Sequence, residues 1–154
     1  PVTGVTVNTE EVIVSVLDVP DNPGSAGHLF SKLGDEGVNV DMIIQNIEDN
    51  GTNNISFSLH QDDLKIATQV TQAIATEMKA GKVITITDIA KVSIVGVGMI
   101  SKPGIAAKMF KALGDACINI LRITTSEIKV SCAIPEQDAP QALTLLHETF
   151  KLHD

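Results

Sequence analysis

The sequence has no tryptophan, no tyrosine and a single arginine among its 154 residues, and its formal net charge is −8. A nucleic-acid surface needs a basic face and aromatic rings on which bases can stack, so we expect no nucleic-acid partner. A small acylphosphatase-like enzyme would need an arginine in its first loop to bind its anionic substrate. The arginine is Arg122, far beyond the first loop, which argues against such an enzyme.

Cysteine is equally scarce. Cys117 and Cys132 are too few for a disulfide framework and lack the Cys-x-x-Cys spacing of zinc and redox sites, so we expect both to be small buried residues. The histidines are scattered without metal-ligand spacing, and we interpret them as surface or helix-face residues: His28, His60, His147 and His153.

Catalytic motifs are missing as well. The sequence contains no P-loop, no G-x-S-x-G elbow and no dinucleotide-binding fingerprint. We therefore expect no metal, no cofactor and no catalytic residue, which means that the chain is not an enzyme by itself.

Long apolar runs are absent. No run approaches the ~20 residues that a membrane-spanning helix requires, and the first residues do not resemble a signal peptide. The hydrophobic content of 44% is enough for a substantial core. These features predict a soluble cytoplasmic protein without a membrane partner.

An internal repeat is the main positive feature. Residues 12–46 align with residues 92–126 without a gap when the sequence is shifted by 80 positions. The shared positions are Pro23/Pro103, Gly24/Gly104, Ala26/Ala106, Phe30/Phe110, Leu33/Leu113, Gly34/Gly114, Asp35/Asp115, Asn39/Asn119 and Ile43/Ile123. The length and this offset favour two small domains.

Each copy of the repeat predicts a strand, a Pro-Gly turn, a helix and a second strand. Alternating valine and isoleucine before the turn have the period of a strand. The apolar residues after the turn, such as Ala26, Leu29, Phe30 and Leu33, recur at i, i+3, i+4 and i+7, which is typical of one face of a helix. Asn50-Gly51 then indicates a hairpin.

The order of these elements predicts an α+β fold with two ferredoxin-like βαββαβ domains, each an antiparallel sheet with helices on one face. The second repeat lacks a fourth strand of its own, and the surplus strand in residues 1–7 can fill the open edge. We therefore expect the first domain, residues 8–90, to be inserted in the second, residues 1–7 plus 91–154. Within the first domain, Asp62 is expected to cap a helix ending near Met78, with a buried stripe of Ile66, Val70, Ala73 and Ile74.

The Pro-Gly turns are the candidate binding elements. A helix that follows such a turn has up to four unpaired N–H groups at a partly positive end, which can receive a carboxylate. An ammonium group could be held by side chains near the strand and helix ends, namely Asp21, Asp41, Asn39 and Asn119. Simpler interpretations remain open: a tight turn for Pro-Gly, a turn-like backbone for the asparagines, and an exposed sheet edge for the polar run 124–127.

Several segments carry a family resemblance. Residues 92–99, 102–110 and 118–128 resemble the C-terminal half of aspartate kinases, and 38–46 resembles the first regulatory unit of these enzymes. The Thr125-Ser126-Glu127 run is specific to aspartate kinases among proteins with ACT domains, which are ferredoxin-like sensors of small molecules. On this resemblance the chain is identified as a tandem pair of ACT domains.

The resemblance implies feedback control of the aspartate pathway by L-threonine, L-lysine or both. In the resembling enzymes the first unit of one chain lies beside the second unit of another, and an amino acid binds at each seam, so a homodimer through the ACT domains is expected. The implied residues of a threonine site are Asp21, Gly24, Ala26, Gln45, Ala106, Asn119 and Ile120. Those of the second site are Asn39, Val40, Asp41, Met99, Ser101, Gly104, Ser126 and Glu127.

This sequence departs from the family pattern near the second Pro-Gly turn and after Asn119-Ile120. Lys102 replaces a common histidine, and Leu121 followed by Arg122 replaces a common acid, so two cations are expected near the second seam, where they would disfavour lysine. The kinase start motif is absent. The resemblance therefore implies either a small regulatory subunit or a fragment, acting on an aspartate kinase catalytic domain or alpha subunit. The alternative is a structural ACT dimerisation module without ligands.

Overall fold

The computed structural model describes residues 2–97, 104–126 and 128–152. Within them lie eight strands, four α-helices and two short 3-10 turns. The strands are β1 (Gly4–Asn8), β2 (Glu11–Pro20), β3 (Val40–Ile47), β4 (Thr52–His60), β5 (Val83–Ile86), β6 (Ile89–Val95), β7 (Arg122–Thr125) and β8 (Lys129–Pro135). The helices are α1 (Ser25–Asp35), α2 (Leu64–Met78), α3 (Ile105–Asp115) and α4 (Ala139–Thr149).

The chain forms two compact units. The inserted unit comprises residues 10–87, and the split unit comprises residues 2–9 together with 88–152. The sheet of the inserted unit has the strand order β3-β4-β2-β5, and that of the split unit has the order β1-β6-β8-β7. All neighbouring strands are antiparallel, so both units have the predicted ferredoxin-like topology.

The predicted insertion is confirmed by the pairing of β1. This N-terminal strand pairs antiparallel with β6, from Gly4 opposite Val95 to Asn8 opposite Lys91, and so completes the sheet of the split unit. The expected bounds of 8–90 extend too far at both ends. Asn8 belongs to β1, and Ile89 begins β6 opposite Pro135, so both residues are part of the split unit.

Each unit has its own core between its sheet and its two helices. In the inserted unit, Val12, Val14 and Val16 point from β2 towards Leu29 and Leu33 of α1. The alternation in β2 and the i, i+4 spacing in α1 bring these residues together, as the sequence predicts. In the split unit the equivalent residues, shifted by 80, are Val92, Ile94, Met109 and Leu113.

The start and the buried face of α2 differ from the prediction. The residues before it form a 3-10 turn, and the His60 side chain accepts a hydrogen bond from the backbone N–H of Asp62, so Asp62 is not the cap. Ile74 is buried as expected, but Ile66 and Ala73 are exposed and Val70 is only partly buried. The buried stripe is instead Ala67, Thr71, Ile74 and Ala75, so the face that packs on the sheet is rotated from the predicted one.

Helices α1 and α3 end in the same way, except at one residue. After α1, Gly37 has φ +81°, and after α3, Cys117 takes the left-handed conformation with φ +60°. The following residues bond back to Leu33 and Leu113 at 3.0 and 2.9 Å. Cys117 is exposed, so the expectation that it is buried is wrong, whereas Cys132 is buried as predicted.

Cys117→Gly is expected to stabilise the protein by about 1 kcal/mol, since only glycine adopts a left-handed conformation without a Cβ penalty. Thermal unfolding of the variant measures this gain. The substitution removes an exposed thiol and no core contact, so an unchanged or lower melting temperature would contradict the explanation.

No α-helix within the described residues has the length and apolar character needed to cross a bilayer.

Candidate functional site

The loop from β2 to α1 is built around a left-handed glycine. Gly24 has φ 89° and ψ −5°, and Ser25 begins the helix directly after it. Gly24 has no side chain, and no described side chain caps α1, so the N–H groups of the first turn point to the loop without a side-chain acceptor. This arrangement suits a carboxylate ligand.

The split unit repeats this geometry. Gly104 precedes α3 with φ 88° and ψ −3°, and no described side chain caps that helix either. The two glycines agree within 2° in both angles, which shows that the repeat preserves the backbone needed to present a helix N-terminus.

Asp21 and Gln45 lie at the same end of the inserted unit as Gly24. Asn53 on β4 donates a hydrogen bond from Nδ2 to Oδ1 of Asp21 at 3.4 Å. Asn53 is opposite Ile47 on β3, and Gln45 is two residues away on the same side of the sheet. We call this end the glycine end of the inserted unit; its candidate residues are Asp21, Gly24, Ala26 and Gln45.

Asn39, Val40 and Asp41 lie at the opposite end, which we call the asparagine end. Val40 begins β3 opposite Leu59, and the β3 register shifts by one residue between Val40 and Ile43, around Asp41. From Val40 to Ile47 the strand extends by about 23 Å. One amino-acid ligand therefore cannot contact both ends of the inserted unit.

The split unit has the same two ends. Gly104 and Ala106 start α3. At the end of β6, the Gly96 N–H donates to the Ile128 carbonyl at 2.9 Å, and the Ser126 N–H donates to the Lys129 carbonyl at 2.7 Å. Asn119 and Ile120 follow the other end of α3. Ala106 is about 14 Å along the helix axis from that end, so the structure groups Ala106 with Gly104 and not with Asn119 and Ile120. Met99, Ser101 and Glu127 lie outside the described residues.

Arg122 is one of the two cations expected near the second seam. Arg122 begins β7 opposite Ala133, and its guanidinium donates to the Leu121 carbonyl at 3.0 Å. It therefore lies at the asparagine end of the split unit, beside Ile120, and at the opposite end of β7 from Ser126. Lys102 is outside the described residues.

Strands β3 and β7 are sheet edges with exposed apolar side chains. Within the described residues each pairs with one strand only, β4 or β8. Ile43 and Ile47 on β3 are 52% and 82% exposed, and Ile123 on β7 is 46% exposed. An edge strand with exposed isoleucines is a typical surface for pairing with another chain.

Two of the described acid–base groups, His60 and Cys132, have a shifted pKa. His60 Nε2 lies 2.8 Å from Glu10 Oε2, and this hydrogen bond raises the pKa of His60, although the group is exposed. Burial raises the pKa of the Cys132 thiol to about 12, so the thiol is unreactive at neutral pH. No group of three or more His, Cys, Asp or Glu side chains among the described residues could hold a metal ion.

Asn53 and Asn54 were not predicted from the sequence as site residues, although they bond to Asp21 in the loop before α1 and to Asp18 of β2. Both follow the Asn-Gly turn and resemble ordinary hairpin residues. Their position next to the polar 48–52 turn is a weak signal of a role in the site. It becomes informative once the register of β4 against β2 is known.

Comparison with known proteins assigns the chain to a family. The model of the ACT domain matches residues 14–73 and 92–150. An aspartate kinase of Stutzerimonas stutzeri is 44% identical over 98% of this chain, which spans 37% of that enzyme. The solved structure of aspartokinase alpha and beta subunits has 38% identity and a TM-score of 0.90, with 99% of this chain and all of the matched chain covered. The regulatory subunit of aspartate kinase from Thermus flavus has 37% identity and a TM-score of 0.89, covering 97% and 98% of the two chains.

The chain therefore belongs to the ACT-domain family. The regulatory subunit matches over nearly its full length, whereas the complete kinases match over about a third of theirs. The chain is thus the regulatory ACT part of an aspartate kinase and not the catalytic domain.

Proposed function

We propose that this regulatory module binds L-threonine, L-lysine or both between ACT units of two copies of the chain and thereby inhibits an aspartate kinase. The observation that carries the proposal is the separation of the candidate residues into two ends of each unit. Because neither end carries all the groups that hold an amino acid, a complete site needs a glycine end from one unit and an asparagine end from another.

The first proposed site combines the glycine end of the inserted unit with the asparagine end of the split unit of a second copy. Gly24 and Ala26 would present backbone N–H groups to the ligand carboxylate, and Asp21 would accept from its ammonium or hydroxyl. Gln45, with the Asn119 and Ile120 backbone, would complete the contacts. Ala106, at the other end of α3, fits the second site better.

The second proposed site combines the glycine end of the split unit with the asparagine end of the inserted unit. Gly104 would provide the helix N-terminus, and Asp41 is the described carboxylate that could select a ligand ammonium. The remaining residues proposed for this site are Asn39, Val40, Met99, Ser101, Ser126 and Glu127. With Arg122 at the other end of its unit, one of the two cations that would disfavour lysine is removed from this site.

The exposed edges support a homodimer in which β3 of one chain lies beside β7 of another. Such pairing would bury Ile43, Ile47 and Ile123 and supply the missing hydrogen bonds of both edge strands. The partner acted upon would be an aspartate kinase catalytic domain or alpha subunit, since one relative is described as having alpha and beta subunits.

The proposed mechanism is a population shift. An effector that binds only one arrangement of the ACT dimer favours it over the arrangement that accompanies the active kinase. Effectors with micromolar to millimolar affinity would supply about 8 to 4 kcal/mol of binding free energy, which is enough to bias such an equilibrium.

Calorimetry with threonine, lysine, methionine and isoleucine tests the proposal, alongside thermal unfolding with each ligand. We expect heat and a higher melting temperature with threonine, lysine or both, and sedimentation should show a dimer. A dimer that gives neither heat nor stabilisation with any of the four would instead favour the second candidate, a structural dimerisation module, which the exposed isoleucines also support.

A further inference from the structure

We propose that Asn53 and Asn54 are positioning residues of the first effector site, because they tie the end of β2 and the loop before α1 to the β3–β4 hairpin. The inference rests on the proposed function for its ligand, but the contacts that support it lie within the inserted unit. It makes the geometry of the glycine end depend on the same hairpin that carries the exposed edge strand.

Strand β2 has a bulge at Asp18, just before its last two residues and the loop to α1. The pairing of β2 with β4 shifts register between Val16 and Val19, and Asp18 takes the left-handed conformation with φ 54°. Such a conformation costs about 1 kcal/mol or more for a residue other than glycine, so the surrounding contacts must hold it.

Asn54 holds the bulge from the β4 side. Its Oδ1 accepts a hydrogen bond from the Asp18 backbone N–H at 3.0 Å, which satisfies a donor that the bulge removes from the strand ladder. The Nδ2 of the same side chain donates to Oε1 of Glu48, the residue directly after the end of β3. One amide thus connects the bulge to the hairpin.

Gly81, which precedes β5, contacts the bulge on the side opposite to β4. Its N–H donates to the Leu17 carbonyl at 2.8 Å, and the Leu17 N–H donates to the Lys82 carbonyl at 2.9 Å. A Cβ at Gly81 would lie 3.0 Å from both the Leu17 carbonyl oxygen and Asp18 Oδ2, so the approach is as close as glycine permits. The bulge therefore has hydrogen bonds on both sides, to Asn54 of β4 and to the segment that leads into β5.

Asn53 contacts the loop at Asp21, three residues after the bulge. The residue is 6% exposed, and its Nδ2 donates to Oδ1 of Asp21 at 3.4 Å. A buried amide has few rotamers, so this bond directs the exposed Asp21 carboxylate and leaves its other oxygen for a ligand. Asp21 would contact the effector, and Asn53 acts through it.

These contacts couple the β3–β4 hairpin to the loop before α1, and the coupling has a functional consequence. Displacement of the hairpin when β3 pairs with another chain would move Asn53 and Asn54, and with them Asp21 and the bulge. Effector affinity at the first site would therefore depend on how β3 is paired, which is a direct route from dimer arrangement to ligand binding.

Asn53→Ala and Asn54→Ala test the inference in the full chain by calorimetry with threonine. Each variant should bind threonine about threefold to tenfold more weakly, as expected for the loss of one orienting hydrogen bond. Asn54 is partly exposed, so its variant should fold even if Asn53→Ala does not. Hydrogen exchange at the amides of residues 20–26 should be faster in both variants.

Asn50→Ala is the matched control. Asn50 lies in the same hairpin, but its side-chain bonds within the described residues go to the N–H and hydroxyl of Thr52, at 3.1 and 2.7 Å, and not to Asp18 or Asp21. It should leave threonine affinity within about twofold and exchange in the loop unchanged. An equal effect of Asn50→Ala, or unchanged exchange at residues 20–26 in both other variants, would overturn the inference. Wild-type protein that binds no effector would refute the proposed function, while the exchange measurement would still decide the positioning role.

Discussion

Asp21→Ala is expected to weaken threonine binding about 100-fold or more while leaving the fold intact. Asp21 is exposed, and its described side-chain contact is the 3.4 Å bond from Asn53, so truncation removes little that stabilises the unit. In a closed site, removing the partner of a charged group costs about 2–5 kcal/mol, much of it from leaving the ligand ammonium unpaired. Calorimetry and thermal unfolding measure the two effects separately.

Asp41→Ala is the control for Asp21→Ala. Asp41 is also exposed and also in the inserted unit, but it lies at the asparagine end. Its loss should spare threonine binding at the first site and weaken any ligand at the second. Gln45→Ala should reproduce the loss seen with Asp21→Ala. Unchanged threonine affinity in both Asp21→Ala and Gln45→Ala would refute the assignment of the first site.

The separation of each unit into two ends explains why the internal repeat matters for function. A single unit presents a helix N-terminus at one end and an asparagine segment at the other, about 23 Å away along β3. In the proposed dimer, two units side by side in opposite directions would bring these ends together twice. The repeated sequence therefore predicts two related sites, and its differences predict that they are unequal. Asp41 is replaced by Leu121 and Gln45 by Thr125 at the aligned positions.

The fold could be predicted from the sequence because its determinants are local or periodic. Alternating Val12, Val14 and Val16, the helix stripe through Leu29 and Leu33, and a missing fourth strand together allow one arrangement. For α2 the prediction was right at Ile74 and wrong elsewhere, because Ala67 and Thr71 are buried whereas Ile66 and Ala73 are exposed. A hydrophobicity pattern cannot predict that face of the helix, since a threonine is buried while an isoleucine is exposed.

The candidate site was less predictable because it depends on register. Nothing local in the sequence indicates that β3 carries an extra residue near Asp41, or that Asn53 is opposite Ile47 and reaches Asp21. Ala106 and Asn119 are separated by the length of α3. An alignment of motifs does not take that length into account, so it grouped the two residues in one site. Motifs identify residue types suited to a ligand, whereas register decides which of them can meet.

Gly24→Ala is expected to destabilise the protein by about 1–2 kcal/mol and to weaken threonine binding at least tenfold. The backbone at Gly24 has φ +89°, and no atom lies within 4 Å of the position that a Cβ would take, so alanine would fit sterically but would strain the backbone. The chain can relieve this strain only by rotating the peptides that begin α1. That rotation would turn the Ala26 N–H away from the carboxylate of the proposed ligand, so stability and affinity should fall together.

Gly37→Ala separates the loss of stability from the loss of threonine affinity. Gly37 also has a left-handed backbone, φ +81°, and also has open space around its Cβ position, but it lies at the opposite end of α1. Its replacement should cost a similar amount, about 1–2 kcal/mol in denaturant unfolding, yet leave threonine affinity unchanged because the helix N-terminus is not disturbed. Equal losses of affinity in Gly24→Ala and Gly37→Ala would show that threonine responds to the stability of α1 as a whole. A loss confined to Gly24→Ala would identify the first turn of α1 as the group that holds the carboxylate.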